Sequence, residues 1–236
     1  MGITLYEQGF ILGESKIRLK SDSERAIHSA LKEIKHQRLE LVKYIRKHLE
    51  FQYSLKPVEA LPEAPKIVRM MVESSRMAKV GPMASVGGAF ADIGMEALLR
   101  DGARTAVVED GGEIAASVAV PVVVSIFSSN MSVSGKIGFT IVKEDCPLGI
   151  ATSSSKTSRV LSFGEADSVT VIAESASLAD AAATAICNSV VEVNVEESIK
   201  HGLKRAQTIR GVRGVIITRE DSVGIWGKLP KIVRIK

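Results

Sequence analysis

One alanine-rich stretch places a carboxylate and a hydroxyl four positions apart. Within residues 178–185 (LADAAATA), Asp180 and Thr184 fall on one face of a helix, and the alanines around them leave room for an ion. A carboxylate and a hydroxyl, completed by carbonyl oxygens and waters, suit a hard cation such as Mg²⁺. The spacing alone also fits a plainer interpretation, in which Asp180 is an exposed first-turn acid and Thr184 is a packing residue.

Three glycine clusters are candidates for holding phosphate groups, because free backbone amides beside hydroxyls can bind anions. They are Gly81 with Gly87-Gly88, Gly111-Gly112, and Gly149 leading into Thr152-Ser153. Neither G-x-x-x-x-G-K-[ST] nor G-x-G-x-x-G occurs, so the two common nucleotide fingerprints are excluded. Without them, each cluster is equally compatible with a turn or a tight packing face.

Several other chemistries find no support in the residue pattern. The four histidines fall among many charges, without an H-E-x-x-H or Cys/His pair, so a zinc site is not expected. The serines at 153–155 lack a G-x-S-x-G elbow. Two cysteines are too few for a disulfide framework. Aromatic residues make up only 4%, which leaves no platform for stacking nucleic-acid bases.

The net charge of +4 conceals a strongly uneven distribution along the 236 residues. Residues 1–80 carry +5, residues 81–190 carry −6, and residues 191–236 carry +5. An acidic middle rich in glycine and alanine favours a cation, or a nucleotide with a metal, over a nucleic-acid backbone. RNA or membrane binding by the basic ends is disfavoured, because basic residues at 21–50 alternate with glutamates.

The start of the chain has no charged and apolar signal pattern, and we expect a soluble cytoplasmic protein. The most apolar run, residues 114–127, is 14 residues long and contains Pro121. A membrane helix needs roughly 20 residues, so this run is predicted to be a buried valine-rich strand.

The remaining pattern predicts a framework of helices and short strands. Residues 10–20 read as a hairpin, Ser21 and Glu24 as a capping box, and the apolar spacing beyond them as a long amphipathic helix to about residue 50. A proline-rich loop follows, then helices from Pro65 and Pro82. Further helices are predicted at 177–189 and 196–208, and strands at 105–108, from 114, at 136–143, 148–152, 169–173, 214–218 and 231–235. The fold class is therefore α+β, a mostly antiparallel sheet covered by helices in one domain over residues 1–236.

In order along the chain, four motifs resemble the ApbE family, the FAD:protein FMN transferases. They are SVGGAFAD at 85–92, EDGGE at 109–113, IATSS at 150–154 and LADAAATA at 178–185. The resemblance covers residues 80–225, and residues 1–80 are more divergent. The segment Val80-Gly81-Pro82-Met83-Ala84 is typical of an archaeal and bacterial branch of ApbE-like proteins.

The resemblance implies a T-fold-like architecture and a site for Mg²⁺ and FAD. Family members bind the FAD pyrophosphate with Mg²⁺ and pass FMN to a Ser or Thr of a partner protein. Carried over, the metal ligands are the side chains of Asp180 and Thr184 and the main-chain oxygen of Val86. The flavin nucleotide would lie against Gly87, Gly88, Gly111 and Gly112, with Thr152 and Ser153 near its phosphates.

Four departures from the family pattern keep two functions open. Gly87 replaces a lysine, Glu113 replaces an aspartate and Ser154 replaces a glycine, while residues 157–163 lack the family's histidine. The first hypothesis is Mg²⁺-dependent FAD binding with transfer of FMN to a protein acceptor. The alternative is a non-catalytic nucleotide- or metal-binding module on the same fold. Neither nucleic acid nor membrane is an expected partner, and the pattern leaves the oligomeric state open.

Overall fold

Two antiparallel sheets form the framework of the protein, as described by a computed structural model over residues 3–126, 135–155 and 163–235. The larger sheet has the strand order β1-β2-β3-β4-β7-β8-β9-β10, and the smaller has the order β11-β6-β5. Their strands are β1 Tyr6–Leu12, β2 Ser15–Ser21, β3 Ala106–Asp110, β4 Glu113–Ser117, β5 Val122–Ser125, β6 Ile137–Ile141, β7 Leu148–Ser153, β8 Ser168–Ala173, β9 Val212–Arg219, β10 Ser222–Gly227 and β11 Lys231–Arg234. The predicted α+β class with a mostly antiparallel sheet is confirmed.

Helices cover one face of the large sheet, and the small sheet packs against part of the other. The helices are α1 Glu24–Lys47, α2 Leu49–Tyr53, α3 Lys66–Ala78, α4 Val86–Arg100, α5 Ala176–Cys187 and α6 Val195–Gln207. A 3-10 turn, Pro82–Ser85, leads directly into α4. Since α4 and α5 also pack on each other, the middle of the helical layer brings together segments that are far apart in the sequence.

Period-two alternation decides which strand residues face the helices. In β3, Ala106 and Val108 pack with α1 and α4, whereas Val107 packs towards the small sheet. In β7, Ala151 joins the helical core, whereas Leu148 and Ile150 join the other. The same alternation applies at the ends of the strands. A residue there that is in line with the helix-facing residues of its strand also points towards the helical layer.

The structure differs from the sequence prediction at the first helix. The predicted capping box of Ser21 and Glu24 is wrong, because the N-cap is Ser23, whose hydroxyl accepts a hydrogen bond from the Ala26 amide at 3.3 Å. The Ser21 hydroxyl accepts instead from the Ser23 amide at 3.2 Å. Two serines with the right chemistry stand two positions apart, and the local pattern does not distinguish them.

The strand predictions near the middle and the end of the chain are corrected in three places. The valine-rich run splits at residues 118–121 into β4 and β5, which belong to different sheets. β11 was expected to close the main sheet, but it pairs with β6 in the small one. β10 was not predicted, because its two glycines and alternating residues give only a weak strand signal. Among the described residues, no helix is long and apolar enough to span a membrane.

Candidate active site

The N-terminus of α5 is held against α4 and β7 by close backbone contacts. A Cβ on Gly88 would lie 2.2 Å from the Ala176 carbonyl oxygen, and one on Gly149 would lie 2.1 Å from the Ala176 nitrogen. The two glycines are therefore needed for α5 to approach both neighbours closely.

A buried carboxylate fixes this arrangement further. Asp92 on α4 accepts hydrogen bonds from the amides of Ala176 and Ser177, at 2.8 and 2.9 Å, and from the Ser177 hydroxyl at 2.7 Å. The Ser175 hydroxyl caps the same helix by accepting from the Leu178 amide. Asp92 satisfies amides that a helix N-terminus otherwise leaves free, so it locks the position of α5 relative to α4.

This framework places Asp180 one turn into α5, facing the start of α4. One Asp180 oxygen accepts a hydrogen bond from the Gly88 amide at 3.1 Å. Thr184 follows one turn later, as its spacing predicts, and is 6% exposed. Both side chains line one pocket together with Val86. The structure thus brings together the three residues predicted to hold a metal ion.

The β3–β4 hairpin supplies two more acids to the same pocket. Its tight turn has Gly111 and Gly112 at φ values of 72° and 132°, conformations that favour glycine. The turn aligns Asp110 directly across from Glu113 in the strand pairing. Both line the pocket, and the Ser15 hydroxyl donates to Asp110 Oδ2 at 3.2 Å.

Crowding of carboxyl groups shapes the electrostatics of this pocket. Burial raises the pKa of Asp180 to about 7, with further increases from Asp110 and Asp92, against the lowering effect of the Gly88 amide. Burial raises the pKa of Asp110 to about 6. Burial and the nearby Asp180 raise the pKa of Glu113 well above its ordinary range. A site that concentrates negative charge in this way favours a cation.

The pocket has a volume of about 810 Å³ and a chemically mixed lining. Asp110, Glu113, Asp180 and Thr184 contribute carboxyl and hydroxyl groups. Arg38 and Lys79 contribute positive charge to its lining. The lining also has many apolar and aromatic side chains: Leu41, Val42, Ile45, Tyr53, Leu55, Met83, Val86, Phe90 and Phe163. Its volume and mixed lining match those of pockets that hold a small organic ligand.

Other residues predicted for the site occupy different places. Gly87 and Gly111 line the pocket, and Gly88 reaches it through its amide bond to Asp180. Gly112 is half-buried and is outside the pocket lining.

Thr152 and Ser153 also lie outside the pocket lining. The Thr152 hydroxyl is 2.9 Å from the Thr170 hydroxyl. Thr152 is on the same face of β7 as Ile150, which is the face turned away from the helices. Ser153 is on the same face of β7 as Ala151, which is the face that meets the helices. Its buried hydroxyl has no hydrogen-bond partner within the described parts of the chain. Residues 157–162, where the family's histidine is missing, lie outside the described residues.

Sequence reasoning missed five pocket residues that carry charge: Glu14, Asp110, Glu113, Arg38 and Lys79. The paired acids were detectable, because two residues flanking a two-residue glycine turn face the same side of a hairpin. No sequence pattern of this kind marks Arg38 or Lys79. Arg38 lies on a helix with many charged residues, and only the tertiary packing places it in the pocket.

The donor set fits a metal that also binds a ligand. Across residues 3–126, 135–155 and 163–235, no three His, Cys, Asp or Glu side chains are grouped to hold a metal ion by themselves. Mg²⁺ is commonly bound by one or two carboxylates, with waters and substrate phosphates completing its shell. Asp180, Thr184 and the Val86 main-chain oxygen fit that mode of binding, in which a phosphate-bearing ligand supplies the remaining oxygens.

Comparisons with known proteins show the family of the chain. A family model described as "AbpE bacteria" matches residues 10–212. A UPF0280 protein of Methanocaldococcus jannaschii is 38% identical over 231 residues, covering 97% of this chain and 93% of the relative. One from Methanopyrus kandleri is 37% identical over 98% of this chain and 95% of its own.

The fold is also similar to that of solved structures. A variant of the flavin transferase ApbE of Vibrio cholerae aligns with a TM-score of 0.60 at 13% identity, covering 95% of this chain and 97% of that one. The ApbE protein of Thermotoga maritima aligns with a TM-score of 0.62 at 14% identity over the same shares.

Proposed function

The chain belongs to the ApbE-like family. On that premise we propose that it binds FAD with Mg²⁺ in the pocket that contains Asp180, Thr184 and Val86, and that it transfers FMN to a protein hydroxyl. One observation carries the proposal: a single cavity of about 810 Å³ joins Asp180, Thr184 and Val86 to an apolar wall. This combination suits a ligand that has both a ring system and a metal-bound diphosphate.

Specific residues would hold the parts of the ligand. Asp180, Thr184 and the Val86 main-chain oxygen would bind Mg²⁺. Bound Mg²⁺ would neutralise the diphosphate and improve AMP as a leaving group. Arg38 and Lys79, the positively charged residues of the lining, would bind the phosphates, and the apolar wall would exclude water from the ring system.

The transfer step requires a group that removes a proton from the acceptor. The acceptor's hydroxyl oxygen would bond to the phosphorus of the FMN half, the bridging P–O bond would break, and AMP would leave. Glu113 suits the acceptance of the hydroxyl proton, because its raised pKa makes its carboxylate a stronger base than an ordinary one. This role would replace that of the histidine missing from residues 157–163.

Titration calorimetry and product analysis with FAD test the proposal. FAD is expected to bind in the presence of MgCl₂ and to bind more weakly with EDTA, and AMP should appear when a Ser/Thr peptide mixture is added. Absence of FAD binding under both conditions would show that the proposal is wrong.

A second function, ligand binding without catalysis, is favoured by Gly87 at the family's lysine position and by the missing histidine. It predicts FAD-dependent thermal stabilisation without AMP release under any acceptor condition.

A further inference from the structure

Among the strands that the structure describes, β10 forms one edge of the large sheet, and none of them pairs with its outer side. It is the last strand in the sheet order and pairs with β9 on its inner side. A free edge strand presents a row of unpaired N–H and C=O groups, which is a template for pairing with another strand. β10 also carries two exposed apolar side chains, which favour association at this edge: Val223 is 59% exposed and Ile225 is 53% exposed.

These two side chains share one face of the sheet. Gly224, between them, faces α6, since a Cβ there would lie 2.2 Å from Ile199 on that helix. Alternation therefore directs Val223 and Ile225 to the opposite face. A strand paired beside β10 would place its own side chains next to this pair on the same face.

Charges at the two ends of β10 make the edge complementary to itself. Glu220 precedes the strand and has a side chain that is 63% exposed, whereas Lys228 follows the strand and is exposed. In an antiparallel pair of two β10 strands centred on Gly224, Glu220 lies opposite Lys228 of the other copy. The same register places Val223 opposite Ile225 on one face.

Other strand edges lack this property. On β1 and its flanking residues, 5–13, the one charged side chain is Glu7, so an antiparallel copy has no cation there to place opposite it. β11, Lys231–Arg234, has a cation at both ends, so an antiparallel copy would place like charges together. The fourth edge, β5, leads into residues that the structure does not describe.

We propose that this protein forms a symmetric homodimer by antiparallel pairing of β10 with β10 of a second copy, centred on Gly224. The pairing extends the large sheet across both chains. β10 lies four strand positions from β4, about 19 Å at the usual strand spacing. None of the described residues that line the candidate active site belongs to β10, so both pockets of the dimer remain open, and the inference is independent of the proposed function.

Light scattering coupled to gel filtration tests the dimer. The full chain is expected to have twice its 25.3 kDa mass at high concentration. Ile225→Lys should reduce the mass to that of the monomer, because it places a charge in the centre of the contact. Ile11→Lys is the matched control: Ile11 is 80% exposed on the opposite edge, and the variant should stay dimeric.

A charge exchange tests the register directly. Glu220→Lys and Lys228→Glu should each weaken the dimer, because each places like charges opposite one another, and the double variant should restore it. Thermal unfolding of each variant shows whether the monomer is still folded. A wild-type chain that is monomeric at all concentrations, a dimer insensitive to Ile225→Lys, or a double variant no better than the single ones would overturn the proposal.

Discussion

The carboxyl group of Glu113 occupies the space that a side chain on Gly87 would need. A Cβ built on Gly87 would lie 2.7 Å from Glu113 Oε2 and 3.2 Å from Cδ. These are two of the positions at which the chain departs from the family pattern, glycine for lysine and glutamate for aspartate. The two replacements are therefore complementary in space, since the longer acid lies where the missing side chain would begin.

Gly87→Ala is expected to move the Glu113 carboxyl while leaving the fold intact. The clashing atoms are the end of a flexible side chain, so unfolding free energy should fall by about 1 kcal/mol or less. FAD binding or AMP release should change more than stability does, because Glu113 lines the pocket. Urea unfolding and calorimetry measure the two effects separately.

A double-mutant cycle with Glu113→Ala shows whether the effect depends on that contact. In the Glu113→Ala background, Gly87→Ala should have little further effect on binding. Gly9→Ala serves as the stability control, since no atom lies within 4 Å of its Cβ position. Additive effects of the two site changes would contradict a direct coupling between Gly87 and Glu113.

The sequence contained enough information to predict Asp180 and Thr184 as a pair, because helical spacing alone places i and i+4 on one face. It also indicated the Gly111-Gly112 turn, whose positive φ angles few other residues adopt. What it did not contain was the distance between these elements. α5 meets α4 through Gly88 and Asp92, and this contact spans more than 80 positions of the chain.

The predictions for Thr152 and Ser153 show a second limit. Adjacent strand residues point to opposite faces, so the side chains of both cannot enter one pocket. The motif supplied their residue types, whereas the pairing of β7 with β8 determines their directions. Alternation could have separated the two side chains, but only the sheet topology shows which face meets α5.

Gly88→Ala should be much more destabilising than Gly87→Ala. Its Cβ would lie 2.2 Å from the Ala176 oxygen and 2.6 Å from the Ser177 nitrogen, and these are backbone atoms of α5 that cannot rotate away. We expect a loss of about 3 kcal/mol or more in unfolding free energy, measured by urea denaturation. A loss similar to that of Gly87→Ala would contradict the tight α4–α5 contact.

Asp92→Ala should destabilise the protein because it leaves three donors at the start of α5 without their acceptor. Buried unsatisfied donors cost about 1–3 kcal/mol each, so a total loss of at least about 3 kcal/mol is expected. Ser175→Ala removes a single cap from the same helix and should cost about 1 kcal/mol. Equal losses for the two variants would show that Asp92 does not hold α5 in place.

Asp180→Asn is expected to have opposite effects on stability and ligand binding. At pH 8 the unliganded variant should be more stable than the wild type, because a neutral amide removes the repulsion and desolvation that raise the Asp180 pKa. Its affinity for FAD with Mg²⁺ should fall about tenfold or more, about 1.4 kcal/mol.

The exposed Glu196→Gln on α6 is the control and should change neither quantity. Thermal unfolding without ligand and calorimetry with FAD and MgCl₂ measure the two effects. A variant that is less stable and still binds normally would assign Asp180 a purely structural role.

The stability of the unliganded protein should contain a contribution from Asp110 that is lost as pH rises. Burial raises the pKa of Asp110 from 3.8 to about 6, so the folded protein binds this proton more tightly than the unfolded chain. The contribution is fully present below about pH 4 and disappears as pH rises through about 6, with a magnitude of about 3 kcal/mol.

Asp110→Asn isolates this contribution, because the amide keeps the side-chain shape but does not titrate. The difference in unfolding free energy between wild type and variant, measured by urea denaturation from pH 4 to pH 8, should shift in favour of the variant as pH rises. Other carboxyl groups titrate in both proteins, and their contributions largely cancel in the difference. A constant difference across this range would mean that the Asp110 carboxyl titrates alike in the folded and unfolded chains, and that burial in the pocket does not raise its pKa.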